Sequence, residues 1–173
     1  MNSMTLLSIL LLISASSCLT AGELSVTVHL LDHTRKSDTR YKLDRPIKGD
    51  KRPQFWIDWS KKWRDITVTE TVKGAEATAL NALLREALAN SEAMHFCGHD
   101  PIYDIEAIDP EGKTLKTSLC FTCGTWVQPG KRLDIGGPPG IENPLCVALR
   151  KVIELPKAIL DAEAARKAKK ASK

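Results

Sequence analysis

Residues 102–121, IYDIEAIDPEGKTLKTSLCF, decide the fold. Ile102 to Asp109 and Thr114 to Phe121 read as two strands, and Pro110-Glu111-Gly112-Lys113 between them has turn composition. Proline presets one turn dihedral and glycine accepts a left-handed one. With Glu111-Gly112 as the loop, Asp109 pairs with Thr114 and Cys123 falls opposite Asp100. That register gathers Cys97, His99, Cys120 and Cys123 at one end of a hairpin.

Upstream of the hairpin, Ala77, Leu80, Leu84, Ala87 and Leu88 recur at helical spacing and predict a helix over Ala75 to Asn90. The β-branched run Ile66 to Val72 predicts a strand that ends at Lys73-Gly74. Phe55, Trp56, Trp59 and Trp63 fit either a helical or a strand period. Packing over the sheet is the favoured use of these rings, because a small domain needs aromatic area in its core, and stacking on sugars is the alternative. Asp32 to Pro53 is a long connection in which Tyr41 and Leu43 form a short edge strand. Glu23 to Leu31 alternates as a half-buried strand, with Leu24, Val26, Val28 and Leu30 on one side and His29, read as solvated, on the other. His33 is read in the same way.

Downstream, eight of the 17 residues from Gln128 to Pro144 are glycine or proline, a composition that predicts a loop or flap without regular structure. Asn143 as cap and Pro144 as first residue open a second helix that runs to about Leu155, with Cys146, Leu149 and Ile153 on its apolar face. Cys146 is thus expected to be buried, as an inert thiol or as a partner for a hairpin cysteine. Pro156 breaks the pattern, and residues 157–173 form a basic Ala/Lys-rich tail, a solvated and frayed helix. The expected fold is α+β: a small antiparallel sheet of about four strands packed on one main helix, with a second, C-terminal helix.

Composition sets the context. The chain has 173 residues, 43% of them hydrophobic and 27% charged, which suits one domain with a core. Its net charge of +4 resides entirely in residues 157–173, where six bases face two acids, so the body is neutral and no nucleic-acid partner is expected. Residues 1–21 carry no charged side chain. They combine the short apolar run Leu6 to Ile13 with small residues up to Ala21, as a signal peptide does, leaving residues 22–156 as the single mature domain before the tail. A lipoprotein variant of the same reading acylates Cys18. Both place the protein outside the cytoplasm, secreted or periplasmic, with envelope association through a lipidated Cys18 or the basic tail. In that compartment disulfides persist.

Three chemistries are open to the cysteine-rich end of the hairpin. The leading one is a structural disulfide among Cys97, Cys120 and Cys123, which stabilises by about 2–4 kcal/mol. The second is zinc on Cys97, His99, Cys120 and Cys123, since thiolate and imidazole are zinc ligands and Cys120-Phe121-Thr122-Cys123-Gly124 has the spacing of a metal knuckle. The third is thiol-disulfide exchange through Cys120 and Cys123, which wants a helix beginning at the pair, whereas Gly124 to Pro129 has no helical character. Asp100 and Asp104 stand near His99 as partners for its ring or as residues that shape the start of the strand. No nucleophile elbow, phosphate-cradling glycine loop or His-Glu-x-x-His is present, so catalytic residues and a cofactor are not expected on the leading reading.

The combination Cys97-x-His99-x-Pro101-x-Tyr103, a Glu-Gly turn and Leu119-Cys120-Phe121-Thr122-Cys123, preceded by the helix, resembles a group of small exported bacterial proteins. Those proteins carry a Cys/Pro/His motif, a hairpin and a Cys-Phe-x-Cys motif. The similarity covers about Ile66 to Trp126, with the order of Cys-Phe, Pro and His rearranged here. It implies export and a paired-cysteine hairpin, and no activity follows from it. Function is therefore expected to be that of a non-enzymatic binding or structural module, with zinc binding or thiol redox chemistry as the alternative.

Overall fold

The computed structural model describes residues 23–32, 53–57, 59–89, 99–109, 111–128 and 131–172. The apolar leader with Cys18, the Tyr41/Leu43 strand, His33 and Cys97 lie outside the described residues. The elements in chain order are β1 (Ser25–Leu31), β2 (Gln54–Ile57), β3 (Lys62–Lys73), α1 (Gly74–Ala87), β4 (Tyr103–Ile108), β5 (Thr114–Cys120), β6 (Thr125–Gln128), β7 (Lys131–Asp134), α2 (Pro144–Val152) and α3 (Lys157–Ala171).

The seven strands form one antiparallel sheet in the order β2-β3-β1-β4-β5-β6-β7, curled into a half-barrel. Alternation divides its residues between two faces. Val26, Val28 and Leu30 of β1, Tyr103, Ile105 and Ala107 of β4, and Leu119, Trp126 and Leu133 further along all turn to the main core. Helix α1 covers that core with Ala77, Leu80, Leu84 and Ala87. Helix α2 adds Leu145, Cys146 and Leu149, and the Tyr103 hydroxyl donates to the Ile153 carbonyl at 2.6 Å, pinning the end of α2 to the sheet. The opposite face lies inside the curl. There Leu31, Phe55 and Ile57 make a second, smaller cluster with Ile66 against it.

Two contacts measure the curl. Lys116 of β5 sits 5.0 Å from the ring centre of Phe55 of β2, and Arg132 of β7 lies 4.9 Å from the ring centre of Trp59, in the β2–β3 turn. Residues from near the two edges of the sheet thus meet across its inner face. A register shift between Leu30 and Leu31, where β1 leaves step with β3, contributes the bend.

The expectation of about four strands on one main helix is overturned. β1, β3, β4 and β5 are the strands expected, β2 realises the strand period that Phe55 and its neighbours shared with a helical one, and β6 and β7 are additional. Each additional strand has four residues, hence two per face, too few for alternation to stand out. β7 lies within the glycine- and proline-rich run expected to be irregular: the strands flanking Pro129 and Gly130 pair Gln128 with Lys131, so that run opens on a hairpin.

The hairpin register differs by one residue from the expected one. Ile108, and not Asp109, pairs with Thr114. Gly112 has φ +80°, the Asp109 amide donates to the Lys113 carbonyl at 3.0 Å, and Asp109 Oδ1 accepts from the Glu111 and Lys113 amides at 3.1 and 2.7 Å. A loop of three residues with glycine in the left-handed position replaces the two-residue loop.

The tail is helical as expected but is not simply solvated. Ile159 and Leu160 of α3 pack against the main core. Glu163 is buried and takes two hydrogen bonds from Arg166, at 2.9 and 2.5 Å. Gly140 makes this docking fit: its φ is +102°, and a Cβ there would stand 2.8 Å from Glu163 Oε1.

Candidate functional site

The hairpin end holds His99 and Cys120 together. His99 has a left-handed backbone, φ 45°, and is 2% exposed. Its Nδ1 is 2.9 Å from Thr125 Oγ1 and its Nε2 is 2.9 Å from Ser118 Oγ. Both ring nitrogens are therefore engaged by hydroxyls. Burial, reinforced by the Arg132 guanidinium and opposed by Asp100, brings its pKa down to about 4, so the imidazole is neutral. Burial pushes the neighbouring Cys120 thiol up.

The described cysteines divide into two kinds. Cys120 and Cys146 are buried free thiols, the latter pushed up to about 12 by burial. Cys123 is disulfide-bonded. No disulfide joins two cysteines among the described residues. The chain passes from Cys123 into β6 at Thr125, so no helix begins at the cysteine pair. Cys123 does not lie opposite Asp100 in a ladder, because β5 stops at Cys120 and residues 121–124 turn. Asp100 instead pairs with Arg64, whose Nη2 lies 2.6 Å from Asp100 Oδ1 and whose Nη1 reaches the Asp32 carbonyl at 3.2 Å.

Beside this end is a cavity of about 590 Å³. Its walls come from the end of β1 (Leu31), the middle of β3 (Val68), the Cys120–Cys123 turn, Ile141 and the inward side of α3 (Ile159, Ala162). Asp32, Asp100, Glu163 and Arg166 also line it. The lining is mainly apolar, with its charged groups in two places, and Cys123 stands in the wall.

A second group of polar side chains runs across the inner face of the sheet. The ladder registers set Thr69, His29, Asp104 and Ser118 side by side on β3, β1, β4 and β5, with Thr71, Thr27, Glu106 and Lys116 in the next row. Thr69 Oγ1 is 2.8 Å from His29 Nδ1, Thr27 and Thr71 share a 2.9 Å hydrogen bond, and Lys116 pairs with Glu106. Ser118 then passes the row to His99. Asp104 is 0% exposed, yet among the described residues neither carboxylate oxygen accepts a hydrogen bond of normal geometry, and the Ile105 amide beside it acts only weakly. Burial drives its pKa up to about 8, against the pull of Lys116. Asp104 is thus no partner of the His99 ring. His29, expected to be solvated, is half-buried, and burial lowers its pKa.

Among the described residues, the His, Cys, Asp and Glu donors brought within metal-binding reach of one another are His29, Asp104 and Glu106, whose donor atoms all lie within 4.8 Å. Sequence reading missed this trio because its members come from strands on either side of α1. The available signal was parity: His29 sits on the polar side of β1, and Asp104 and Glu106 share one side of β4. Of the tryptophans, Trp56 and Trp63 pack ring to ring at 5.3 Å, and Trp59 is exposed beneath Arg132. Comparison of the chain with models of protein families, with curated proteins and with solved structures finds no match in any of the three.

Proposed function

We propose that the protein is an exported binding module that holds a small, mainly apolar ligand in the cavity between α3 and the Cys120–Cys123 turn. The cavity carries this reading: about 590 Å³ is in the range of small-molecule sites, and its mixture of apolar walls with a few charged groups is what such sites use to hold and orient a ligand. The cysteines serve as a clamp on that wall. A disulfide from Cys123 to Cys97 ties the turn to the chain that enters the hairpin. Support comes from the bonded state of Cys123 together with the free state of Cys120 and Cys146. A buried, raised Cys120 thiol and the strand after Cys123 weigh against thiol exchange, which needs an accessible thiolate.

The cavity is tested by titrating the native protein with anilinonaphthalene sulfonate, an apolar aromatic anion. Saturable binding to one site is expected, weakened roughly tenfold or more by Ala162→Trp, which fills the cavity from the α3 side while the cooperative melt is kept. Absence of saturable binding, or equal binding by the variant, overturns the reading. The clamp is tested separately by peptide mapping without reductant. A linked Cys97–Cys123 peptide is expected, and free thiols at both positions with stoichiometric zinc would replace the clamp by the metal alternative.

A further inference from the structure

We propose that His29, Asp104 and Glu106 form a binding site for one divalent transition-metal ion of the zinc type on the inner face of the half-barrel. The argument begins with Asp104. A carboxyl group with no exposed surface is ordinarily hydrogen-bonded or paired, because water no longer solvates it. Among the described residues neither Asp104 oxygen accepts a hydrogen bond of normal geometry or stands in an ion pair, the neighbouring Ile105 amide lending only a weak pull, although the strands around it are rich in hydroxyls and one carries a lysine. Lys116, the nearby base, is engaged by Glu106 and lies over the Phe55 ring, so it compensates the neighbouring acid.

The other two groups complete a donor set. Placing the His29 proton on Nδ1, where it is donated to Thr69 Oγ1, leaves the Nε2 lone pair for a metal, the arrangement that orients many ligating histidines. Glu106 can give one oxygen to the ion and leave the other to Lys116. All three donors lie within 4.8 Å of one another, and ligands around an ion bound at about 2.0–2.2 Å stand roughly 3–4 Å apart, so small side-chain rotations close the shell. One imidazole with two carboxylates favours zinc or a similar borderline ion over magnesium and calcium, which prefer oxygen alone. This set contains no sulfur and is distinct from Cys97, His99, Cys120 and Cys123.

The test uses the full chain, stripped with chelator and titrated calorimetrically with zinc chloride. One ion per chain is expected, with the affinity falling by roughly a hundredfold in both Asp104→Asn and His29→Gln. Unchanged cooperative melting of the two variants in chelator confirms that they fold. X-ray absorption of the zinc-loaded protein should show a nitrogen/oxygen shell near ~2.0–2.1 Å and no sulfur near ~2.3 Å. No binding by the wild type, equal binding by both variants, or sulfur scattering overturns the proposal, and the last of these assigns the ion to the cysteines.

Discussion

At the scale of single residues, the hairpin end can accommodate His99 only as a neutral ring. Its surroundings are two hydroxyls, which can serve an imidazole as donor and acceptor in turn, and a nearby guanidinium that repels a second positive charge. The unfolded chain takes up that proton near 6.5 and the folded protein only near 4. Above the unfolded value neither state is protonated and the full stability is present. As the pH falls between the two values, the unfolded state gains a proton that the native state refuses, at about 1.4 kcal/mol per pH unit. Urea unfolding from about pH 7 down to pH 4 should therefore show a loss on the order of 3 kcal/mol from this residue. His99→Gln should flatten that limb of the profile, and parallel profiles for the two proteins would remove His99 as its source.

At the scale of elements, Asn143 shows how one side chain can hold two pieces of chain. Its Oδ1 accepts from the Leu145 amide at 3.0 Å and caps α2, while its Nδ2 donates to the Gly136 and Pro138 carbonyls at 2.9 and 3.0 Å. The cap contributes about 1 kcal/mol, and each buried donor bond adds a comparable amount. Asn143→Ala is expected to lower the unfolding free energy by about 2–3 kcal/mol, and Asn143→Ser, which retains a capping oxygen, by about half of that. Equal losses in the two variants by chemical denaturation would confine the role of Asn143 to the loop. The cap itself was legible from Asn143-Pro144, because capping is a local rule. The two bonds to the loop were not, since they depend on where residues 136–138 are folded back.

At the scale of the molecule, the same division between local and distant information governs what could be read. β1, α1 and the β4–β5 hairpin follow from periods that each segment carries within itself. The one-residue error in the hairpin register arose because Gly112 serves equally well in a two- or three-residue loop. β6 and β7 are too short to declare a period, β2 shared its period with a helical reading, and without these strands the curl of the sheet, and with it an inner face, could not be foreseen. The conspicuous chemistry, His99 and the cysteines, was visible as residue types. The row from His29 through Asp104 to Ser118 was not, because it exists only once β1 is placed between β3 and β4.

That placement also has a temporal consequence. Both ladders of β1 join it to strands far along the chain, and loops of that kind close late, after hairpins and helices with nearer partners. Val28→Ala, at a fully buried β1 position, should thus cost about 2 kcal/mol mainly by speeding unfolding, whereas Ile105→Ala in the hairpin should slow folding, a contrast that stopped-flow chevrons can measure. A Val28 variant that slows folding as much as it destabilises would place β1 in the nucleus. If β1 does close last, this strand, made before both of its partners, waits until β3 and β4 have been delivered. The apolar side of Val26, Val28 and Leu30 is then what a nascent chain most needs kept from aggregation.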